Sequence, residues 1–166
     1  MEMIDILDER GGVISAARRE EIYARRLPHR IVHIMLQRAD GKVFLQRRSA
    51  QMSYLPGHLC TSAGGHVKAG ETPREAALRE VSEELEVTGM LELVDEFVYD
   101  DGHHRRIFLF RLRAPTFESI SNREVDGGMF CGPDELHQLQ RTPCHPQLWP
   151  CLERIFRGAV GTPGAS

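Results

Sequence analysis

Three glutamates in this chain are spaced so that one cation could lie among their side chains. At 100° per residue of an α-helix, Glu80, Glu83 and Glu84 fall on one side. Like charges three and four residues apart destabilise a bare helix by about 0.2–0.5 kcal/mol per pair, and a bound cation removes that repulsion. Carboxylates suit Mg²⁺, which also accepts water and phosphate oxygens. The three residues alone leave two interpretations open: a site for a hard divalent cation, or an ordinary solvated acidic face.

The helix that carries these glutamates has a well-marked start. Thr72 can cap it, and Pro73 suits its first turn because the missing N–H has no helical partner there. Glu75 then completes a capping box with Thr72. The sequence therefore predicts a helix from this point, with an apolar side that packs on a sheet and consists of Ala77, Leu78, Val81 and Leu85.

The acidic residues belong to a longer pattern that makes the metal site the favoured interpretation. It reads G-x5-E-x7-R-E-V-x-E-E and fixes Gly65, Glu71, Arg79, Glu80, Glu83 and Glu84. Six fixed residues recur by chance on the order of 10⁻⁷ per start. The chain resembles the Nudix hydrolase superfamily, whose box is G-x5-E-x7-R-E-U-x-E-E-x-G-U, with U aliphatic. Here Glu86 replaces the late glycine, so a left-handed helix end is costlier, and Gly89 is the predicted later end.

The resemblance implies a fold, an activity and a cofactor. The fold would be an α/β/α sandwich with a central mixed sheet, here with an N-terminal hairpin extension. The activity would be that of a Nudix pyrophosphohydrolase, which cleaves a diphosphate bond in a nucleoside diphosphate derivative or a related small diphosphate. The cofactor would be Mg²⁺ or Mn²⁺, because a divalent ion neutralises the phosphate charge and acidifies the attacking water.

Roles for the acidic residues follow from their spacing and from the resemblance. Glu80 and Glu84, one turn apart, are the predicted metal ligands, and Glu83 is a further ligand or the general base. Related enzymes use different carboxylates as the base, so Glu124 is held in reserve. The resemblance also implies that the main-chain carbonyl of Gly64 joins the metal shell.

Two arginines have predicted roles beside the acidic residues. Arg79 cannot bind a cation, so we expect it to pair with Glu71 or Glu83 and hold the acidic side chains in position. Alternation along a strand that ends at Arg48 turns Arg47 and Arg48 to opposite faces. One of them could meet a phosphate, although an arginine at a strand end that reaches water is the alternative. The resemblance selects Arg48.

Within the superfamily, residues 3 to 136 look most like the isopentenyl-diphosphate isomerase branch and its bacterial hydrolase-like members. The similarity lies in the N-terminal hairpin, the LPHR segment and the RRSxxxxxLPG…GGH run. His29 and His66 match histidines around the isomerase metal, but Gly64 stands where the isomerase has its catalytic cysteine. Histidine and arginine between residues 103 and 106 replace its acidic pair. We therefore predict a hydrolase-like member with His66 near the site; an isomerase and a catalytically silent diphosphate-sensing module are the alternatives.

Further elements follow from periodicity and turn residues. Residues 1–158 are predicted to form one domain, in which residues 1–29 are an extension, and residues 159–166 a flexible tail. The predicted hairpin comprises residues 3–7 and 13–15, followed by a helix over residues 16–27. Strands are predicted at 30–37 and 42–48, paired around an Asp-Gly turn, and at 59–63, 91–99, 106–112 and 129–131. Short helices are predicted after Pro133 and over residues 146–157.

Composition limits the function classes. The chain has 166 residues and a net charge of −3, with no basic stripe, so we expect a small phosphorylated substrate rather than nucleic acid. The absence of a leader-like start and of a long apolar run predicts a cytoplasmic protein with no membrane partner, and a homodimer stays open. Four cysteines without C-x-x-C spacing predict reduced thiols. His103 and His104 are expected to face solvent, and Tyr54, Phe97 and Phe130 to pack in the core.

Overall fold

The computed structural model describes residues 2–114 and 116–157. It begins with the predicted hairpin, β1 (Met3–Leu7) and β2 (Val13–Arg18), followed by a short helix, α1 (Arg19–Ala24). The predicted helix over residues 16–27 is therefore too long at both ends. Its first residues extend β2 instead, because Ala17 pairs with Ile4 and packs with Ile22 in a small apolar cluster.

A seven-stranded sheet forms the centre of the molecule. Its main path runs β5-β4-β3-β8-β7, while β6 pairs with β3 and β9 with β4. The β3–β8 pair is parallel and the others are antiparallel, so the predicted mixed sheet is confirmed. The strands are β3 (His29–Gln37), β4 (Val43–Arg48), β5 (Leu59–Cys60), β6 (Ala63–His66), β7 (Met90–Asp100), β8 (His104–Arg113) and β9 (Val125–Cys131).

The turn predicted between β3 and β4 is present, but the two strands do not form the predicted run of backbone hydrogen bonds. The strands pair only at Gln37 and Val43, beside the Asp-Gly turn. Beyond that point Ser62 lies between them: its hydroxyl accepts from Leu36 N (2.7 Å) and donates its proton to Phe44 O (2.5 Å). The single strand predicted at residues 59–63 is accordingly divided into β5 and β6, which pair with β4 and β3 respectively.

The helix of the box begins as predicted and ends differently. In α2 (Pro73–Glu80), the Thr72 hydroxyl accepts from Glu75 N (3.1 Å), and the Glu75 carboxylate accepts from Thr72 N (3.1 Å). A π-helical turn, Val81–Leu85, follows directly. The chain then leaves the helix through Glu86, whose φ of 56° and ψ of 34° lie in the left-handed region.

The later helix end predicted at Gly89 is thus wrong. Glu86 is held in its left-handed conformation by Asn122, whose Nδ2 donates to Glu84 O and to the Glu86 carboxylate, both at 3.0 Å. Gly89 has a different task, since a Cβ there would lie 2.6 Å from Arg113 O. It permits the close approach of two backbone segments.

Apolar clusters cover both faces of the sheet. On one face, α2 and the π turn bury Ala76, Ala77, Val81 and Leu85 against β3 and β8. Leu78, which was predicted to join them, is 50% exposed, because the helix turns a narrower face to the sheet. On the other face lie a 3₁₀ helix (Pro133–Leu139) and α3 (Leu148–Ile155). The predicted α/β/α sandwich is confirmed.

Three further observations complete the fold. No described helix has both the length and the apolar character needed to cross a bilayer. All four cysteines are free thiols, as predicted, and Cys60, Cys131 and Cys151 are buried. The predicted tail at residues 159–166 lies outside the described residues, and the predicted domain boundaries stay a prediction.

Candidate active site

Two of the three predicted metal-binding glutamates meet in the interior. Glu80 at the end of α2 and Glu84 in the π turn are both buried. The carboxylate of Glu84 accepts from Gln46 Nε2 on β4 (2.9 Å) and from Gly64 N on β6 (2.9 Å). A helix and two strands therefore fix this carboxylate.

The electrostatics of the pair suit a cation. Burial raises the pKa of Glu80, and burial together with the charge of Glu80 raises the pKa of Glu84 well above its usual value. The backbone of β6 approaches closely, since a Cβ added at Gly65 would lie 2.3 Å from Glu80 Oε1. Two buried carboxyl groups repel each other when both are charged, and a hard divalent cation would satisfy both. The donor set thus fits the metal implied by the box.

Glu83 stands apart from this pair. Its side chain is 48% exposed, and its carboxylate lies 3.6 Å from Arg79 Nη1. Among residues 2–114 and 116–157, no three His, Cys, Asp or Glu side chains are grouped closely enough to form a ready cation site. The structure therefore brings Glu80 and Glu84 together and leaves Glu83 at the edge.

Arg79 joins the first and second halves of the box. Its Nε and Nη2 donate to the two carboxylate oxygens of Glu71 (2.8 and 3.0 Å), and its Nη1 donates to Glu80 (2.7 Å). Its Nη2 also donates to His66 O (3.0 Å), which ties the helix to β6. The hydrogen bond from Arg79 lowers the pKa of Glu71, and the same contact raises the pKa of the guanidinium. Of the two partners predicted for Arg79, Glu71 is the one that it binds directly.

A cavity of about 680 Å³ opens beside the acidic pair. Arg48 and Glu124 line it, together with Glu80, Glu83 and Glu84. Arg47 does not, because its guanidinium donates to Gly57 O (3.0 Å). A second cavity of about 630 Å³, beside Ser82 and Glu86, contains none of the predicted site residues.

The N-terminal extension reaches the same cavity. The hydroxyl of Tyr23 on α1 lies 2.5 Å from His66 Nε2, and His66 Nδ1 lies 3.2 Å from the carboxylate of Glu2. All three residues line the cavity, in agreement with the predicted position of His66 near the site. The sequence did not indicate Tyr23, because this contact joins segments that are distant along the chain.

His103 does not face solvent as predicted. It is 8% exposed, and its Nε2 donates to Leu27 O (2.8 Å), which also accepts from Nδ1 of buried His29 (2.9 Å). Burial lowers the pKa of His29 to about 3, so its ring is neutral at pH 7. The prediction was wrong because the extension covers this loop. The side chain of His104, which was also expected to face solvent, is 37% exposed.

Other cavity residues were missed or misplaced by the sequence. Gln46, which orients Glu84, is the last of four buried residues in β4, and the sequence gives no sign of its partner. His145 and Gln147 come from the segment before α3. Tyr54 was expected in the core, but its side chain is 51% exposed and lines the cavity. It lies on the loop after β4, where its ring is next to the Arg48 guanidinium.

Comparison with known proteins agrees with this geometry. The family model of the NUDIX domain matches residues 27–154, which is most of the chain. The chain belongs to the Nudix family. The superfamily predicted from the box is thereby confirmed, and Nudix proteins generally use divalent metal cations.

Several relatives carry the name of Nudix hydrolase. A Salmonella typhi protein named "Uncharacterized Nudix hydrolase YfcD" is 37% identical over 137 residues, 81% of this chain and 74% of that relative. The Streptomyces coelicolor protein "Uncharacterized Nudix hydrolase SCO1686" is 42% identical over 106 residues, 63% of this chain. The match spans only 59% of the Streptomyces relative and 50% of a Yersinia pestis one. These names support the predicted enzyme class.

Solved structures show the same fold. The crystal structure of DR0079 from Deinococcus radiodurans has a TM-score of 0.83 and 26% identity, covering 94% of this chain and all of that one. The Nudix domain of Shewanella oneidensis NrtR, solved with ADP ribose, has a TM-score of 0.62 and 15% identity, covering 87% of this chain and all of that one. The narrower resemblance to the isomerase branch stays a prediction.

Proposed function

We propose that this Nudix protein is a divalent-metal-dependent pyrophosphohydrolase that cleaves a diphosphate bond in a nucleoside diphosphate derivative or a related small diphosphate. The observation that carries the proposal is the buried carboxyl pair of Glu80 and Glu84 at the wall of a cavity that also contains Arg48. The two carboxyl groups suit a divalent metal ion, and the arginine on the same cavity suits a phosphate bound next to that ion.

In this proposal Glu80 and Glu84 hold Mg²⁺ or Mn²⁺, joined by the carbonyl of Gly64. The metal would neutralise the diphosphate charge and make a bound water more acidic. The proximity of Gly64 to the pair supports this role, because its N–H donates to Glu84 (2.9 Å). Arg79 and Glu71 act as positioning residues that keep Glu80 turned inward.

Glu83 is the proposed general base. It lines the cavity with a half-exposed carboxylate, 3.6 Å from Arg79 Nη1, that can accept a proton from water. Glu124 lines the same cavity and stays the reserve candidate. Arg48 is the proposed phosphate contact: its Nε is fixed by Tyr54 O (2.7 Å), and its guanidinium can form charge-assisted bonds to phosphate oxygens.

A nucleoside diphosphate derivative is the favoured substrate class. The Nudix domain of Shewanella NrtR, which has the same fold as this chain, was solved with ADP ribose bound. An isomerase is disfavoured, because Gly64 offers no thiol and burial raises the pKa of the Cys60 thiol to about 12. Cytoplasmic location, the absence of a membrane or nucleic-acid partner, and the choice between monomer and homodimer stay predictions.

The proposal is tested by metal-dependent stability and turnover in matched variants. Mn²⁺ should raise the thermal midpoint of the wild type, because a ligand that binds only the folded state stabilises it. The Glu84→Gln variant should not show that rise in thermal midpoint. Its rate of phosphate release from diphosphate substrates should fall at least about a hundredfold, because losing a group that only supports a metal ligand already costs up to that much. Glu83→Gln should reduce turnover while keeping the rise with Mn²⁺.

Glu153→Gln is the control, since Glu153 is an exposed glutamate on α3, away from the cavity. It should behave as the wild type in both measurements. Unchanged turnover in both cavity variants would exclude the roles assigned to Glu83 and Glu84. Binding of a nucleotide with no turnover under Mg²⁺ or Mn²⁺ would identify a sensing module instead of an enzyme.

A further inference from the structure

We propose that the cavity wall formed by Tyr54, His145 and Gln147 binds a nucleobase that carries carbonyl acceptors. This inference rests on the proposed function, because it assigns the organic half of the same diphosphate substrate. The wall lies in the cavity that contains Glu80 and Glu84. It is built from the loop after β4 and the segment before α3, which lie outside the box.

Tyr54 supplies a flat surface for stacking. Its side chain is 51% exposed within the cavity, although an aromatic ring that size is normally better buried. The ring meets His145 edge-on, with centroids 5.7 Å apart, and the Arg48 guanidinium carbon lies 5.7 Å from its centroid. The loop is held in an unfavourable conformation, since Leu55 has a φ of 48°. An exposed, oriented ring of this kind suits a stacked base.

His145 presents a hydrogen-bond donor to the cavity. Its Nδ1 accepts from Gln147 N (3.0 Å), so the proton of the neutral ring lies on Nε2. Burial lowers the pKa of His145 to about 3, with contributions from nearby His33 and Arg48. The ring is therefore neutral at pH 7, with its proton on Nε2.

Gln147 presents a second donor. Its side-chain carbonyl accepts from His33 Nε2 (2.7 Å), which fixes the amide orientation. His33 is in turn held by Thr61 Oγ1, 2.6 Å from its Nδ1. The hydrogen bonds of the described residues give the Gln147 amide nitrogen no acceptor, although the residue is only 3% exposed. Because Gln147 lines the cavity, its amide N–H groups are available as donors at this wall.

Two donors beside an aromatic ring identify the chemistry of the ligand. A flat group with carbonyl oxygens on its edge can stack on Tyr54 and accept from His145 and Gln147 at once. An aliphatic tail, as in a prenyl diphosphate, would bury both donors without partners, and such sites reject ligands that lack the matching polar group. Uracil, cytosine and guanine bases have the required acceptors.

The experiment measures metal-free binding of uridine, which has the base but no phosphate. Proton NMR titration at millimolar uridine should show binding to the wild type, with much weaker binding of ribose and of isopentenol. Tyr54→Leu should weaken uridine binding at least about fivefold, because stacking on one aromatic ring contributes that much or more. His145→Phe, which keeps a flat ring and removes the donor, should also weaken it.

Phe97→Leu is the matched control. Phe97 is another ring under an arginine, with Arg154 Cζ 3.6 Å from its centroid, but it lies outside the cavity. It should leave uridine binding unchanged. If His145→Phe folds poorly, the exposed Tyr54 site decides the question alone. No uridine binding, equal binding of ribose, or equal loss in Phe97→Leu would overturn the inference.

Turnover separates this inference from the proposed function. In the wild type, kcat/KM for a uridine diphosphate derivative should exceed that for isopentenyl diphosphate, and Tyr54→Leu should reduce this ratio. Uridine binding without hydrolysis of any diphosphate would sink the proposed function and leave the base site standing. Hydrolysis with a ratio that Tyr54→Leu does not change would sink the base site alone.

Discussion

At the scale of the residue, Arg79 determines how the acidic side chains are arranged. Its planar guanidinium reaches both oxygens of Glu71, one oxygen of Glu80 and the carbonyl of His66 at the same time. A lysine has a single ammonium group and cannot reproduce this fork of donors. Arg79 therefore acts through Glu80, by fixing the direction in which that carboxylate points.

Arg79→Lys should lower turnover about 10–100-fold, the range expected when a group that orients a metal ligand is lost. The unfolding free energy should fall by about 1–3 kcal/mol, because partly buried hydrogen bonds are left unmade. Turnover assays and urea unfolding measure the two effects. Arg25→Lys changes an exposed pair with Glu21 and should alter stability by less than about 0.5 kcal/mol. Equal effects in both variants would contradict the role of Arg79.

At the scale of the element, the π turn is what distinguishes this helix from an ideal one. The N–H of Glu86 donates to Val81 O (3.1 Å), five residues back, and the wider turn precedes a residue in the left-handed region. A non-glycine residue in that region is strained by roughly 1–2 kcal/mol. The hydrogen bond from Asn122 to the Glu86 carboxylate offsets part of this strain.

Glu86→Gly and Glu86→Ala separate the two contributions. Both variants lose the contact with Asn122, but only glycine removes the Cβ that makes the left-handed conformation unfavourable. The glycine variant should therefore have an unfolding free energy about 1 kcal/mol above that of the alanine variant. Denaturant unfolding of the two proteins checks this difference, and an alanine variant as stable as the glycine variant would show that Glu86 is not strained.

Local elements were the most predictable part of this fold. The capping box predicted at Thr72 is confirmed, because its residues lie within one turn and their hydrogen bonds depend on no distant segment. The π turn is not predictable from local sequence, since VSEEL is an ordinary helical sequence and the turn is held by contacts with Asn122 and β6. Leu78 was misplaced for a related reason, because helical periodicity does not tell how wide the covered face is.

At the scale of the whole molecule, the cavity depends on neutral histidines packed between the sheet and the α3 side. His33 is 5% exposed, and burial lowers its pKa to about 4. Its ring nitrogens lie 2.6 Å from Thr61 Oγ1 and 2.7 Å from Gln147 Oε1, and a positive charge on this buried ring would be cut off from water. Acid should therefore destabilise the fold through this residue.

The sign of the effect follows from linkage. Because the folded pKa of His33, about 4, lies below the unfolded value of about 6.5, the unfolded state binds more protons between these values. This contribution is fully present above pH 6.5, is lost as the pH falls towards 4, and amounts to about 3 kcal/mol. His33→Asn should be less stable at pH 7 but lose less stability on acidification. Urea unfolding at several pH values tests this, and identical acid sensitivity in both proteins would contradict it.

The candidate site was predictable only where its residues are close in sequence. The box placed Glu80 and Glu84 together because one helical turn separates them, and alternation in β4 separated Arg48 from Arg47. The remaining walls come from contacts across the whole chain, such as Tyr23 with His66. No local periodicity indicates such contacts, so the sequence predicts a core position for Tyr54 and gives no signal for Gln147.

The distance between the cavity walls along the chain has a consequence for biosynthesis. A ribosome makes the chain from the N-terminus, so the acidic pair at Glu80 and Glu84 emerges well before His145 and Gln147, which form another wall of the same cavity. Nascent chains that lack the later segment would have the acidic pair but not the wall formed by His145 and Gln147. Binding of an organic group at that wall should thus begin only after translation has passed α3 and that helix has docked.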